Sequence, residues 1–404
     1  VFERLPHYLR IVVTSRPQTA NRYHPADQIS IEQDDAHNRE DILAYLTQEL
    51  SQYQEAVGEE VFAHNIETIC EKSEGIFLYA KMVTDDIKNG KLSFTEGLDH
   101  LPNGLFGYYD RQFKRLFKHV KEEKLQEIYF EPMTILAAVP EGIPEATLRR
   151  ACQADDRRSW DRRRELRFYD RMISFLKRDH GFVRFFHKSL RDWLVSDGVD
   201  ARFGMDDEDF RKAKQSIARG AFDVIDYDLE EANEYEILVL PGLLTDQKLW
   251  KKRSEEKEQH ELLMQLSDHA AYINLLIGQI KENLRVYDFE KLRKYTQALD
   301  VIISCRESQQ LTQTTGVIGE VQEQSQKLIY WLAKGRICEL ENHLEQAAAW
   351  YAKLEELSLQ MRRELEGEDL ILLWNRAAIC EFRLNHFEKA AALYRDLIDC
   401  LEKE

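Results

Sequence analysis

Apolar residues recur along most of this chain at the three- and four-residue spacing of amphipathic helices, and only a few short stretches break the rhythm. In NREDILAYLTQEL (38–50), Ile42, Leu43, Tyr45, Leu46 and Leu50 fall mostly on one helical face, and IETICEKSEGIFLYAKMVTDDI keeps a similar period. A turn at Pro102-Asn103-Gly104 then leads into a helix on which Tyr109, Phe113 and Leu116 share a face. Two stretches read as extended chain instead. LRIVVTSRP (9–17) is a short β-branched run closed by Pro17, and it sets Thr14, Ser15 and Arg16 at the end of a strand. GFVRFF (181–186) follows Asp179-His180 and predicts a hairpin whose returning strand leads straight into the helix KSLRDWL. Residues 130–195 therefore predict helix, helix, helix, hairpin, helix, a small winged-helix unit.

The end of the chain repeats itself. NHLEQAAAWYAKL (342–354) returns as NHFEKAAALYRDL (385–397) with eight identities in thirteen at an offset of 43 residues, and Trp331 and Trp374 share that offset. The alternation Trp331–Gly335–Ala347–Tyr351–Leu354 and Trp374–Ala378–Ala390–Tyr394–Leu397 matches a tetratricopeptide repeat, with small residues where two helices touch and aromatic ones between hairpins. The period exceeds the usual 34 or so through a longer joining segment, as in the repeats of kinesin light chains. His343 and His386 fall in the turns within each repeat and read as turn residues rather than metal ligands.

Composition narrows the classes. Hydrophobic residues make up 43% and charged residues 32% of 404, with only 17 Gly and 8 Pro, the profile of a folded, mainly α chain of several domains. The net charge of −17 disfavours generic attraction to nucleic acid or anionic membrane. One exception is the arginine cluster Arg157, Arg158, Arg162, Arg163, Arg164, Arg167 and Arg171, where interleaved Asp155, Asp156, Asp161, Glu165 and Asp170 argue for a solvated or interdomain helix face over a nucleic-acid surface. Six scattered cysteines without a CxxC pair suggest neither a zinc site nor a disulfide framework, and no run approaches a membrane span, so a cytoplasmic setting is expected. The chain opens at Val1 in mid-element, and sequence upstream is expected.

Taken in order, LRIVVTSRP, SEGIFLYAK, LPNGLFGYYDRQFKRL, FFHKSLRDWL and the terminal repeats resemble the C-terminal part of a NACHT-type signalling NTPase, one of the AAA-related STAND switches. The resemblance implies the edge of an α/β nucleotide-binding domain at 1–36, a helical domain at 37–125, a winged helix at 126–200, a helical linker at 201–325 and an α-solenoid end at 326–404. It implies a switch that binds ATP or ADP with Mg²⁺, senses a protein or peptide at its repeats and self-associates to signal, as in intracellular defence or cell-death receptors. Arg16 matches the family's sensor arginine, flanked by Thr14 and Ser15, and His187 matches the winged-helix histidine that contacts the β-phosphate of ADP. Gly75 to Leu78 falls where relatives carry GLPL, with Phe77 in the place of the adenine-contacting proline. From the residues alone, His187 beside Phe185, Phe186 and Trp193 reads as either core filler or a contact. No GxxxxGK[ST] loop and no strand ending in paired acids precede Arg16, so residues 1–404 lack the machinery to hydrolyse ATP. The catalytic half then lies upstream, or the chain is a degenerate relative. The alternative reading is a helical, repeat-bearing scaffold without nucleotide.

Overall fold

The computed structural model describes residues 35–95, 98–154, 160–286, 288–310, 320–360, 375 and 377–401. The chain is mainly helical and divides into two compact units, one ending at Leu116 and one beginning at Phe117. Of the expected nucleotide-domain edge at 1–36, all but the last two residues lie outside the described ones.

The first unit comprises α1 (Ala36–Leu50), α2 (Glu59–Lys72), α3 (Phe77–Lys88) and α4 (Gly104–Leu116). Asp35 caps α1 by accepting from the His37 amide, and Ile42, Leu46 and Leu50 are the residues of that helix that reach the core. Leu43 and Tyr45, which the period places beside them, stay partly exposed. Between α2 and α3 the chain reverses through two successive left-handed residues, Glu74 (φ 50°) and Gly75 (φ 74°). Tyr79 of α3 meets Tyr108 of α4 edge to face at 5.4 Å and donates to the Pro102 carbonyl at 2.7 Å, so the expected turn at 102–104 is held from the helix beneath it.

In the second unit a short helix (Glu122–Leu125) and a π-helical turn (Gln126–Phe130) lead into α5 (Glu131–Ala138), β1 (Ile143–Pro144), α6 (Glu145–Gln153), α7 (Arg162–Met172), β2 (Leu176–Asp179), β3 (Phe182–Phe185) and α8 (Lys188–Leu194). The hairpin turns at His180 (φ 48°) and Gly181 (φ 80°), the positive pair that a two-residue turn matching strand twist requires. A third strand, unforeseen from sequence, pairs with it: β1 lies antiparallel to β3 with Ile143 opposite Val183, giving the order β1-β3-β2. Two residues framed by prolines and a glycine carry no alternation to read. Arg149 of α6 grips Glu165 of α7 through two hydrogen bonds of 3.1 and 2.9 Å, which fixes the angle of the arginine-rich helix.

Five longer helices follow: α9 (Asp207–Tyr227), α10 (Glu234–Thr245), α11 (Arg253–Asp268), α12 (Ala270–Val286) and α13 (Phe289–Gln310). The repeats supply α14 (Glu320–Leu340), α15 (Leu344–Gln360), a helical stretch at 377–383 and α16 (Phe387–Leu401). One apolar core runs from Ala218 and Phe222 in α9 through Leu276, Leu299 and Leu332 to Tyr351 and Leu393. The helices expected to be a spacer thus share their core with the repeats.

Where α9 passes α6, the backbones nearly touch: a Cβ on Gly220 would stand 2.7 Å from the Arg150 carbonyl carbon. Arg150 leaves that contact to meet Glu236, a fully buried carboxylate, at 2.6 and 2.8 Å. Glu236 also completes the capping box of α10 with Asn233, whose side chain donates to Thr147 of α6 at 2.8 Å. Burying a carboxylate is tolerable only when its oxygens are paired in this way.

Candidate functional site

His187 stands between β3 and α8. Along β3 the exposed residues Phe182 and Arg184 alternate with buried Val183 and Phe185, and the Phe186 amide still donates to the Phe175 carbonyl at 2.9 Å. The next residue keeps extended dihedrals (φ −146°, ψ 144°) and caps the helix. Its Nδ1 accepts from the Ser189 amide at 3.2 Å and lies 2.7 Å from the Ser189 hydroxyl. A ring nitrogen accepts only when it carries no proton, so the capping geometry places the proton of the neutral imidazole on Nε2 and makes that atom a donor.

The side chain is exposed, which removes the core-filler reading. Leu190, Trp193 and Leu194 are the residues of α8 that enter the core, and Arg191 donates to the Ala137 carbonyl at 2.7 Å, tying α8 to the end of α5. The Phe186 ring is centred 6.2 Å from the imidazole. A helix start can attract phosphate, but α8 has only seven residues and His187 itself accepts from one of its first amides. What remains is the imidazole.

Phe77, the other described residue of the expected nucleotide site, opens α3 in the first unit. It is 40% exposed and packs at a tilt of 51° against Tyr45 of α1, ring centroids 4.8 Å apart, while the carbonyl of Gly75 accepts from the Asn38 side chain at 2.8 Å. An aromatic ledge thus occupies the place where the pattern calls for proline. Thr14, Ser15 and Arg16 lie outside the described residues, as do Arg157, Arg158 and Trp374.

The repeat turns agree down to individual hydrogen bonds. Asn342 (φ 63°) and Asn385 (φ 65°) take the left-handed conformation, and the following amides of His343 and His386 reach back to the carbonyls of Cys338 and Glu381 at 2.8 and 2.9 Å. Within the first repeat, a Cβ on Gly335 would lie 2.6 Å from the Tyr351 ring, so the glycine leaves room for the α15 tyrosine against α14. Sequence reading missed two buried glutamates here. Glu339 (5% exposed) accepts from the Tyr351 hydroxyl at 3.2 Å and pairs with Arg336 at 2.7 Å and with Arg383 of the next repeat at 3.6 Å. Burial raises the Glu381 carboxyl, but hydrogen bonds from Lys389 and His386 outweigh it and hold the group below its ordinary value. Their signal was the amphipathic period, which places both among apolar neighbours.

One open cleft of about 410 Å³ lies among α10, α11 and α13, lined by Thr245, His260, Leu263, Asp300, Val301, Ser304 and Cys305. Asp300 is already engaged by the Tyr330 hydroxyl and by Lys334 at 2.9 Å. Burial pushes the Cys152 thiol well above its ordinary value and the Cys380 thiol to about 11, so neither is a ready thiolate. Among the described residues no cluster of His, Cys, Asp or Glu could hold a metal ion, and no helix is long and apolar enough to cross a membrane. Comparison with protein-family models, with curated proteins and with solved structures gives no match.

Proposed function

We propose that this chain is the regulatory part of a STAND-type ATP/ADP switch, in which residues 126–200, with their helices and hairpin, are a winged helix and its His187 holds bound nucleotide. The observation that carries the reading is the exposed imidazole at the start of α8, whose Nδ1 caps the helix while the ring stands at the surface. An imidazole at the surface suits a phosphate oxygen. Phe77, aromatic and 40% exposed, offers a face for a base in the position of the family proline. The nucleotide would supply the free energy that distinguishes a closed chain from an open one, and the Mg²⁺ ligands belong to a phosphate-loop domain outside these residues. The 43-residue repeats, with matching turns at Asn342 and Asn385, support a solenoid end that takes a protein or peptide and biases self-association.

The test uses the parent polypeptide carrying a phosphate loop. His187→Ala speeds ADP release by about 5- to 150-fold, the range of a typical coupling free energy, and raises spontaneous assembly. An unchanged ADP off-rate together with a lowered melting temperature would leave His187 as a helix cap alone. A specific observation favours the scaffold alternative as well: the core is continuous from α9 into the repeats, as a rigid adaptor requires. An upstream sequence without a phosphate loop decides for the scaffold.

A further inference from the structure

Two surfaces of the second unit are apolar where the solvent reaches them and carry opposite charge. On α7 the buried side is made by Glu165, Phe168, Tyr169 and Met172. The opposite side exposes Arg162, Arg163, Leu166 and Arg167. The short turn after the helix adds Ile173, so that Leu166 and Ile173, 56% and 71% exposed, stand one heptad apart on a face edged by arginines. Among the arginines of this helix, Arg164 pairs with Glu127, whereas Arg162, Arg163 and Arg167 enter none of the described ion pairs.

The second surface is the loop from the end of α9 into α10. Tyr227 is 93% exposed there, set among exposed Asp226, Asp228 and Glu230. Among the described residues nothing covers Tyr227 or Ile173, and the two patches are complementary: an aromatic anchor ringed by carboxylates, and an aliphatic pair ringed by guanidiniums. Tyrosine and arginine are the residues that most often anchor protein interfaces, with charge around them setting register.

We infer that the arginine-edged face of α7 docks the acidic Tyr227 loop of a second copy of this chain. The same polypeptide carries both halves, so no foreign partner is needed to complete the contact. Because the two halves differ, the contact is head to tail and builds a ring or an open chain rather than a closed two-fold dimer. Nucleic acid fits the face less well: Leu166 and Ile173 gain nothing from phosphates, and Asp161 and Asp170 of the same helix repel them. The inference gives the self-association proposed above a surface, and rests on that reading for its role.

Sedimentation velocity on the 404-residue chain without nucleotide tests it. The wild type associates with rising concentration, more weakly at high salt. Tyr227→Ala, and separately Arg163→Glu with Arg167→Glu, weaken association by about 10-fold or more, and all these positions are exposed enough to leave the fold intact. Asp226→Lys with Asp228→Lys weakens it likewise, and mixing this variant with the arginine-reversed one restores it to within about 3-fold of wild type. A chain that stays monomeric to about 100 μM, far above the range of specific interfaces, overturns the inference. So does association that ignores the charge reversals, or a monomer whose arginine face instead binds a labelled DNA duplex. A nucleotide-blind chain that associates through these residues removes the switch and keeps the surface, and a nucleotide-responsive one that stays monomeric does the reverse.

Discussion

Gly220→Ala is a one-carbon change whose outcome separates helix propensity from helix packing. On propensity alone, alanine in the middle of α9 gains about 1 kcal/mol over glycine. Against that, the new Cβ would meet the Arg150 carbonyl carbon at 2.7 Å, the Arg150 oxygen at 2.8 Å and the Ala151 nitrogen at 2.9 Å. All three are backbone atoms of α6, so no rotamer change relieves them, and the helices must separate by several tenths of an ångström. Overpacking of this kind costs about 1–3 kcal/mol. The separation also loads the Arg150–Glu236 pair, and weakening the hold on a fully buried carboxylate adds to the cost. The expected net is a destabilisation of about 1–2 kcal/mol, read as a shift in urea midpoint with unchanged slope. Gly278→Ala in α12 is the control, because nothing lies within 4 Å of its Cβ position. It should stabilise by about 0.5–1 kcal/mol. Equal shifts of the same sign in the two variants would refute the close approach of α6 and α9.

Gly335→Ala should likewise destabilise, although alanine occupies the matching position 378, because the Tyr351 ring at 2.6 Å is fully buried and tied by its hydroxyl to Glu339; thermal melting beside an Ala378→Gly variant checks it. Removing 326–404 should lower the stability of what remains rather than cleanly sever a sensor, since α13 and the repeats share one apolar core; increased dye binding to exposed apolar surface is the readout. Glu381 has a folded value below its ordinary 4.5, so its contribution is present above about that pH and is lost as pH falls through the folded value. Acid titration of wild type against Glu381→Gln should show a smaller loss of stability in the variant as pH falls below that ordinary value.

Local chemistry made much of this legible in the sequence. The hairpin followed from Asp179-His180-Gly181 between a polar and an alternating run, and the repeats from small and aromatic residues at a fixed offset. Contacts between distant segments left no such trace. Nothing near Gly220 announces Arg150, seventy residues earlier in the chain, and Glu236 looks like one more surface acid until α6 covers it. Strand β1 escaped because its partner lies forty residues on and two residues hold no period. The site was half legible. A histidine between a strand and a helix is visible, but whether it is buried depends on the packing of Leu190, Trp193 and Leu194, which sequence does not place.

His187 and the repeats lie in one body, and this restricts how either could influence the other. α8 is tied to α5 through Arg191, α9 abuts α6 at Gly220, Arg150 and Asn233 join α6 to α10, and a single core continues from α9 to Leu393. If a partner binds at the repeats, it could act on the histidine only by moving this body as a whole or by breaking a named tie. The two differ experimentally. Rigid-body motion leaves amide exchange in α6, α9 and α10 protected when a partner binds, whereas a broken tie exposes the α10 cap first, because Glu236 cannot stay buried once Arg150 leaves. Arg150→Ala should mimic that second state without a partner, costing about 3–5 kcal/mol by leaving the Glu236 carboxylate uncompensated. Exchange of the first turn of α10 in that variant, unaltered from wild type, would remove the Arg150–Glu236 pair as a joint in the molecule.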